Sequence, residues 1–218
     1  MFILIFRKTP ITALINNAGV MACPLTKTKD GLEMQMGTNH FGHFYLTKLL
    51  LPRLQSSRIV NVSSVGHSIW RVPCDAAHYT QMCQPESYNA WSAYSLSKNA
   101  NIIFTQELQR RYSNSHAIRA YSLHPGFVTT QLDRHMGISD FVQTIVAPIR
   151  YLFCKTSVEG AQTSLYCALS DTARPGQYHA DCRAQPVLQK YASNDQVARD
   201  WWDYSESTIQ EKQPKSQS

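Results

Sequence analysis

The chain is organised around the stretch WSAYSLSKNANIIF, residues 91–104, which is predicted to continue to about Arg111 as one long helix. Apolar residues recur in it every three or four positions, and this spacing predicts a helix face that packs against a core. Tyr94 and Lys98 share a neighbouring face, because residues four apart lie one above the other on a helix. The helix therefore holds a phenol one turn from an ammonium group.

Such a pair can act as an acid–base device. The positive charge of Lys98 is expected to lower the pKa of Tyr94 from its ordinary value of about 10 toward the working pH of an enzyme. A Tyr-x-x-x-Lys pair is also common on solvated helix faces, where it has no catalytic role. The choice between these two interpretations depends on the rest of the chain.

The overall composition predicts a single globular domain. Of the 218 residues, 43% are hydrophobic and 17% are charged, which is enough apolar content for a real core. The formal net charge is +6, but the Lys and Arg residues are scattered along the chain. A solvated surface is therefore favoured over nucleic-acid binding, and no nucleic-acid partner is expected.

The cysteines, histidines and chain start argue against several other classes. Six cysteines occur without any Cys-x-x-Cys pair, which fits reduced thiols better than a disulfide framework or a zinc site. His40 and His43 lie three positions apart without a third ligand nearby, so no metal site is predicted. The apolar run Met1–Phe6 is too short for a membrane span, which needs about 20 residues. We therefore expect no transmembrane segment and, by default, a cytoplasmic protein.

Strands and helices are predicted to alternate along the chain. Short apolar runs predict strands at Ile11–Ile15, Arg58–Val62 and Ile118–Leu123, with a last short strand at Gly176–His179. Helical patterns occur at about 29–54, 140–153 and 157–170 and within 187–210, whereas 67–89 reads as a loop-rich insertion. Strands separated by long helices imply parallel pairing, hence an open α/β sheet.

Polar clusters follow three of these strands. They are Asn16-Asn17-Ala18-Gly19, Ser63-Ser64 and the turn around Pro125-Gly126. Ligands of an open parallel sheet bind beyond the carboxyl ends of its strands, and the helix with Tyr94 and Lys98 begins on that same side. Each cluster alone is ordinary turn chemistry. Together, and in this order, they predict a ligand-binding rim.

These residues resemble those of the short-chain dehydrogenase/reductase family, and particularly of its retinol-dehydrogenase-type branch. The similarity extends from about residue 11 to about residue 205 and implies a Rossmann-like doubly wound parallel sheet. The motifs that carry it are Asn16–Gly19, Thr38–Phe44, Arg58–Ser64, Tyr94–Lys98, His124–Gly126 and Glu159–Thr163.

The resemblance implies hydride transfer between NAD or NADP and a small hydrophobic alcohol, aldehyde or ketone. Tyr94 would exchange a proton with the substrate oxygen, and Ser64 would hydrogen-bond that oxygen. Lys98 would lower the Tyr94 pKa and bind the nicotinamide ribose, while Asn39 would interrupt its helix and hold a water that relays protons to Lys98. The implied cofactor-binding residues are Asn17, Ala18, Gly19, Tyr94, Lys98, Pro125, Gly126, Val128 and Thr130.

One expected motif is not in the sequence. Such a fold normally begins with a strand and a glycine-rich turn that binds the pyrophosphate, yet no Gly-x-x-x-Gly-x-Gly occurs here. We therefore expect an incomplete Rossmann-like sheet without its first strands, in an N-terminally truncated domain at 11–210. An atypical segment at 1–10 precedes it and a disordered tail at 211–218 follows it. Weak or absent dinucleotide affinity is the consequence.

The truncation leaves a second interpretation open. With the first strands missing, Ile11–Ile15 would become an exposed apolar sheet edge. The chain would then be a catalytically inactive fragment that acts, if at all, as an interaction partner, through homo-oligomerisation or edge-strand association. The loop at 127–139 carries no readable substrate code, and membrane association is expected only for a full-length relative.

Overall fold

The computed structural model describes residues 10–69, 72–128, 155–187 and 194–213. Several predictions therefore fall outside the described residues: those for Thr130, for the helix at 140–153, for nearly all of the segment 1–10 and for most of the tail at 211–218. The predictions for the remaining strands, helices and site residues can be compared directly with the structure.

Five strands form one sheet in the order β1-β2-β3-β4-β5. Strands β1 to β4 are mutually parallel, and β5 runs antiparallel to β4. Their bounds are Ala13–Asn16 for β1, Arg58–Val62 for β2, Arg119–Leu123 for β3, Tyr178–Ala180 for β4 and Arg183–Gln185 for β5. The four predicted strands are confirmed to within two residues at their starts, and β5 is an addition.

The helices pack on both faces of this sheet. Their bounds are Met34–Met36 for α1, Gly42–Leu50 for α2, Gly66–Ile69 for α3, Ala76–Met82 for α4, Ala90–Tyr112 for α5, Ser157–Leu169 for α6 and Asp195–Lys212 for α7. Side chains of β2 point alternately to the two faces. Ile59 packs with Phe104 of α5, whereas Val60 packs with Cys167 of α6. The result is the parallel α/β architecture that the strand–helix alternation predicts.

The predicted helix at 29–54 is wrong in its detail. Residues before Met34 form a turn closed by a bridge between Lys27 and Glu33, and the Glu33 carboxylate caps α1. A π turn at Gly37–Phe41 follows α1, and there the N–H of Gly42 donates to the carbonyl of Gly37. A capping carboxylate stops the helix from starting earlier, because it accepts bonds from the first free backbone N–H groups.

Two further predictions need correction. The insertion at 67–89 contains most of α3 and all of α4, so it is more helical than its two prolines indicated. Residues 211 and 212, predicted as part of the tail, belong to the last turn of α7.

The C-terminal helix α7 covers α5 and is anchored by two tryptophans. Trp201 and Trp202 are each 2% exposed. Trp201 belongs to the cluster around Phe41, and Trp202 packs against Phe44. In the described part of the chain, none of the helices is both long and apolar enough to cross a membrane.

Candidate active site

Helix α5 carries the phenol and the ammonium into the interior. The Asn89 side chain caps its start by accepting from the N–H groups of Trp91 and Ser92. Tyr94 and Lys98 then lie one turn apart at the carboxyl end of β2, and both are 4% exposed. The solvated-face interpretation of this pair is therefore wrong.

Lys98 is a buried amine held by the end of β2. Its Nζ donates to the carbonyl of Val62 at 3.1 Å, and it lies 5.7 Å from the centre of the Tyr94 ring. Burial lowers the pKa of Lys98 to about 8, because the charged form loses its hydration. An ammonium has three donors, and among the described residues Val62 is the hydrogen-bond acceptor of Lys98.

The Tyr94 phenol departs from the prediction made for it. Burial raises its pKa above the ordinary value, and a hydrogen bond from Ser64 partly offsets that rise. The charge of Lys98 is not among the causes of the shift. The expected lowering of the Tyr94 pKa by Lys98 is thus wrong for the protein without ligands, because burial is the largest cause of the shift.

The loop after β2 brings Ser64 beside Tyr94. The Ser63 hydroxyl donates to the carbonyl of Lys98 at 2.7 Å, which joins the loop to α5. The Ser64 hydroxyl accepts from the N–H of Gly66 at 3.0 Å. A Cβ on Gly66 would lie 3.0 Å from Cε1 of Tyr94, a contact tighter than usual, so the loop comes close to the ring at this glycine.

Asn39 lies in the π turn and holds the loop after β1. Its Oδ1 accepts from the N–H of Val20 at 2.8 Å, and its Nδ2 donates to the carbonyl of Val20 and to Ser97 Oγ, both at 2.9 Å. Asn39 is fully buried. The predicted interruption of the helix at Asn39 is confirmed, and the side chain joins the first loop to α5.

The loop after β1 approaches the lysine through Gly19. A Cβ at Gly19 would lie 3.1 Å from Oδ1 of Asn39 and 3.4 Å from Nζ of Lys98. Asn17 and Ala18 are exposed on the same loop. The missing side chain at Gly19 leaves space beside the amine for a ligand that contacts Lys98.

The loop after β3 is supported by the start of α6. Gly126 has a φ of +89°, and a Cβ there would lie 3.0 Å from Cδ of Lys155. Val128 packs against Gly160, where a Cβ would lie 2.5 Å from Cγ2 of Val128. Pro125, Gly126 and Val128 are half-buried and share the rim formed by the carboxyl ends of β1, β2 and β3.

The sequence analysis assigned no role at this site to three buried polar residues that surround it. His43 is 7% exposed, and burial together with the charge of Lys98 lowers its pKa to about 4. Asn101 donates to the same Val62 carbonyl as Lys98, at 3.1 Å. His67 is 2% exposed and contacts the Ser64 backbone. Their spacing of three or four from Asn39, Lys98 and Ser64 was the available signal.

The sheet and this rim define an α/β protein of the Rossmann-like type, with Tyr94 and Lys98 on one crossover helix and Ser64 on the loop after β2. The family description "short chain dehydrogenase" matches residues 5–73. Retinol dehydrogenase 11 of Homo sapiens is 45% identical over 197 residues, which cover 88% of this chain and 58% of that protein. The chain belongs to the short-chain dehydrogenase/reductase family and is similar to its retinol dehydrogenases.

Solved structures agree on the fold. An uncharacterized protein from Mycobacterium paratuberculosis has a TM-score of 0.69 at 34% identity, covering 95% of this chain and 70% of that one. The NADPH-bound carbonyl reductase from chicken fatty liver has a TM-score of 0.56 at 21% identity, covering 85% and 69%, which is a likeness of fold alone. The chain spans about three fifths of the length of the curated relatives that it matches.

Proposed function

We propose that this protein is an oxidoreductase that transfers a hydride between NAD or NADP and a hydrophobic alcohol, aldehyde or ketone. The observation that carries the proposal is the convergence of Ser64, Tyr94 and Lys98 on one buried rim. Ser64 hydrogen-bonds Tyr94, and the loop that holds Ser64 is joined to Lys98 by Ser63. Burial of an amine and a phenol together costs free energy, so buried groups of this kind occur chiefly at functional sites.

Each side chain has a distinct task in this proposal. Tyr94 gives its proton to the substrate oxygen during reduction and takes it back during oxidation, because its raised pKa keeps the phenol protonated at neutral pH. Ser64 donates a hydrogen bond to the same oxygen and orients the carbonyl. Lys98, with its pKa of about 8, holds the ribose hydroxyls next to Gly19 and supplies the local positive charge.

The residues present fit the nicotinamide half of the cofactor. When bound, the cofactor supplies the hydride acceptor or donor, which no side chain can provide. Gly19, Lys98, Pro125, Gly126 and Val128 would hold that half. Asn17 and Ala18 would lie toward the adenosine half. The sequence contains no glycine-rich turn that would bind the pyrophosphate beside that half. The expected affinity is consequently lower than that of a protein with such a turn.

Titration of the purified chain with NADPH and, separately, NADH tests the proposal, with nicotinamide fluorescence as the signal. A saturable increase with one or both cofactors is expected, and the preferred one identifies NAD or NADP. Lys98→Met is the matched variant, because it removes the ribose contact and keeps the length of the side chain. Absence of a saturable signal at millimolar cofactor would show that the chain is not an enzyme as it stands.

A second candidate function is association through the sheet edge. Within the described residues β1 pairs with β2 alone. Ile15 of β1 is 40% exposed, and Leu46 and Leu49 of α2 are 39% and 47% exposed. An apolar strand with unpaired backbone groups can add a strand from a second copy. This observation favours an interaction protein, and the oligomeric state of the chain tests it.

A further inference from the structure

One buried histidine joins the two parts of the proposed active site. His67 lies in α3, three residues after Ser64, and its side chain and its backbone carbonyl bond to different parts of the site. Its Nδ1 lies 2.5 Å from the carbonyl oxygen of Ser64. A carbonyl oxygen only accepts, so Nδ1 carries the proton and donates. The loop with Ser64 is thereby fixed to the ring.

The backbone of His67 bonds to the other part of the site. Its carbonyl accepts from Asn99 Nδ2 at 3.1 Å and from Ser95 Oγ at 3.4 Å. Ser95 directly follows Tyr94 on α5, and Asn99 directly follows Lys98. Hydrogen bonds to Ser95 and Asn99 therefore hold the part of the helix that carries the phenol and the amine. His67 thus connects the loop that positions Ser64 with the helix that positions the phenol and the amine.

A second phenol supports the ring from the sheet. Tyr178 of β4 packs edge-on against His67, with 4.9 Å between the ring centres. Its hydroxyl lies 3.4 Å from His67 Nδ1 and donates to the Ser64 carbonyl at 3.5 Å. On its other side Tyr178 stacks on His124, whose Nδ1 accepts from the N–H of Gly126. Two side-chain donors from two elements therefore converge on one carbonyl oxygen, which also accepts from the backbone N–H of His67 at 3.2 Å.

We infer that His67 is a positioning residue: with Tyr178, it holds the Ser64 carbonyl so that the Ser64 hydroxyl meets Tyr94. This inference rests on the proposed function, because it names a determinant of the same site. The physical consequence is specific. The hydrogen bond from Ser64 favours the Tyr94 phenolate, so loss of the His67 contact must raise the pKa of Tyr94 and weaken the alignment of the substrate oxygen.

The ligand-free protein gives a test that does not depend on turnover. The chain is labelled with 3-fluorotyrosine, and the Tyr94 signal in the fluorine NMR spectrum is identified by its loss in Tyr94→Phe. In His67→Leu this signal should titrate at higher pH than in the wild type. His67→Asn should restore the wild-type titration, because its Nδ2 can donate from nearly the same position as Nδ1. Tyr178→Phe should give a smaller shift in the same direction.

His179→Leu is the matched control, since it removes another fully buried histidine of the sheet. The His179 ring bonds to backbone groups of Ser122, Arg174 and Gln177 and not to Ser64. It should reduce stability and leave the Tyr94 titration unchanged. An unshifted Tyr94 signal in His67→Leu, or equal shifts in His67→Leu and His179→Leu, would overturn the inference.

Turnover supplies the second measurement where the wild type is active. His67→Leu should lower kcat/KM about tenfold, the effect of one well-placed hydrogen bond, and move the Tyr94 limb of the pH profile to higher pH. His67→Asn should recover most of that loss. An inactive wild type would count against the proposed function, and the NMR titration would still decide the role of His67.

Discussion

Nζ of Lys98 lies 3.1 Å from the carbonyl oxygen of Val62, the last residue of β2. The amine therefore belongs to the buried interface between the sheet and α5, although no acidic side chain accompanies it there among the described residues. Because of this placement, the charge state of Lys98 should affect the stability of the fold as well as the chemistry of the site.

Lys98 should make stability depend on pH in an unusual window. Its pKa is about 8 in the folded chain and 10.5 in the unfolded chain, so the unfolded chain binds more protons between these values. The free energy of unfolding should rise across this window by on the order of 3 kcal/mol, and the contribution should be lost as the pH falls to about 8. Lys98→Met should remove this slope in urea unfolding. Lys29→Met, at an exposed lysine, should keep it.

Tyr94→Phe should abolish turnover and leave cofactor binding nearly unchanged. The substitution removes the hydroxyl that the Ser64 side chain hydrogen-bonds and keeps the ring that packs beside Gly66. Steady-state kinetics and the fluorescence titration measure the two effects separately. Retained turnover would contradict the role assigned to Tyr94.

Asn39→Ala should destabilise the protein and loosen the loop after β1. It leaves the N–H and the carbonyl of Val20 without their partner, at about 1–3 kcal/mol for each such group, whereas the Ser97 hydroxyl loses one donor and still donates to the carbonyl of Tyr94. Asn39→Asp is the matched variant, because it keeps the acceptor for Val20 N–H. In urea unfolding the wild type should be more stable than Asn39→Asp, and Asn39→Asp more stable than Asn39→Ala. Equal stability of the three proteins would count against this account.

Gly160→Ala should destabilise the protein because Val128 packs against this glycine. Its Cβ would lie 2.5 Å from Cγ2 of Val128, and overpacking of this kind costs about 1–3 kcal/mol. Val128→Ala removes the clashing methyl groups, so Gly160→Ala should cost much less in that background. A double-mutant cycle measures the coupling, and additive effects of the two substitutions would argue against the close contact.

Ile15→Lys should reduce any self-association of the chain. It places a charge on the strand whose outer edge is unpaired among the described residues. Sedimentation velocity of the wild type and the variant measures the effect. Asn114→Lys adds the same charge at an exposed turn away from β1 and should leave the association state unchanged.

The sequence predicts the parts of this site that depend on local spacing. The positions of Tyr94 and Lys98 follow from helical periodicity and that of Ser64 from the cluster that follows a strand, whereas the family resemblance implied Asn39. Their convergence follows from the carboxyl-end rule for parallel sheets. The direction of the Tyr94 pKa shift could not be predicted. The spacing of residues shows a neighbouring charge, but it does not show how deeply the phenol is buried, and burial is what raises its pKa.

The features that the sequence did not predict have physical reasons as well. The turn before β5 uses Asp181 and Cys182 at positive φ, so a search for glycine turns overlooks it. The strand itself has three residues, too few for a recognisable alternation. His67 stood in a segment with two prolines that reads as a loop, and its partners come from α5 and β4, which are distant in the sequence.

The π turn at Gly37–Phe41 accommodates one extra residue in this part of the chain. It holds one residue more than an α-helical turn, so a single deletion there would give an α-helical turn and leave the later side chains of α2 facing nearly the same way. Phe44 would then stay beside Phe104 and Trp202, whose ring centres lie 5.2 Å and 4.9 Å from its own. The cost of such a deletion should therefore fall on the turn itself, where Asn39 bonds to Val20 and Ser97, and not on the core behind α2.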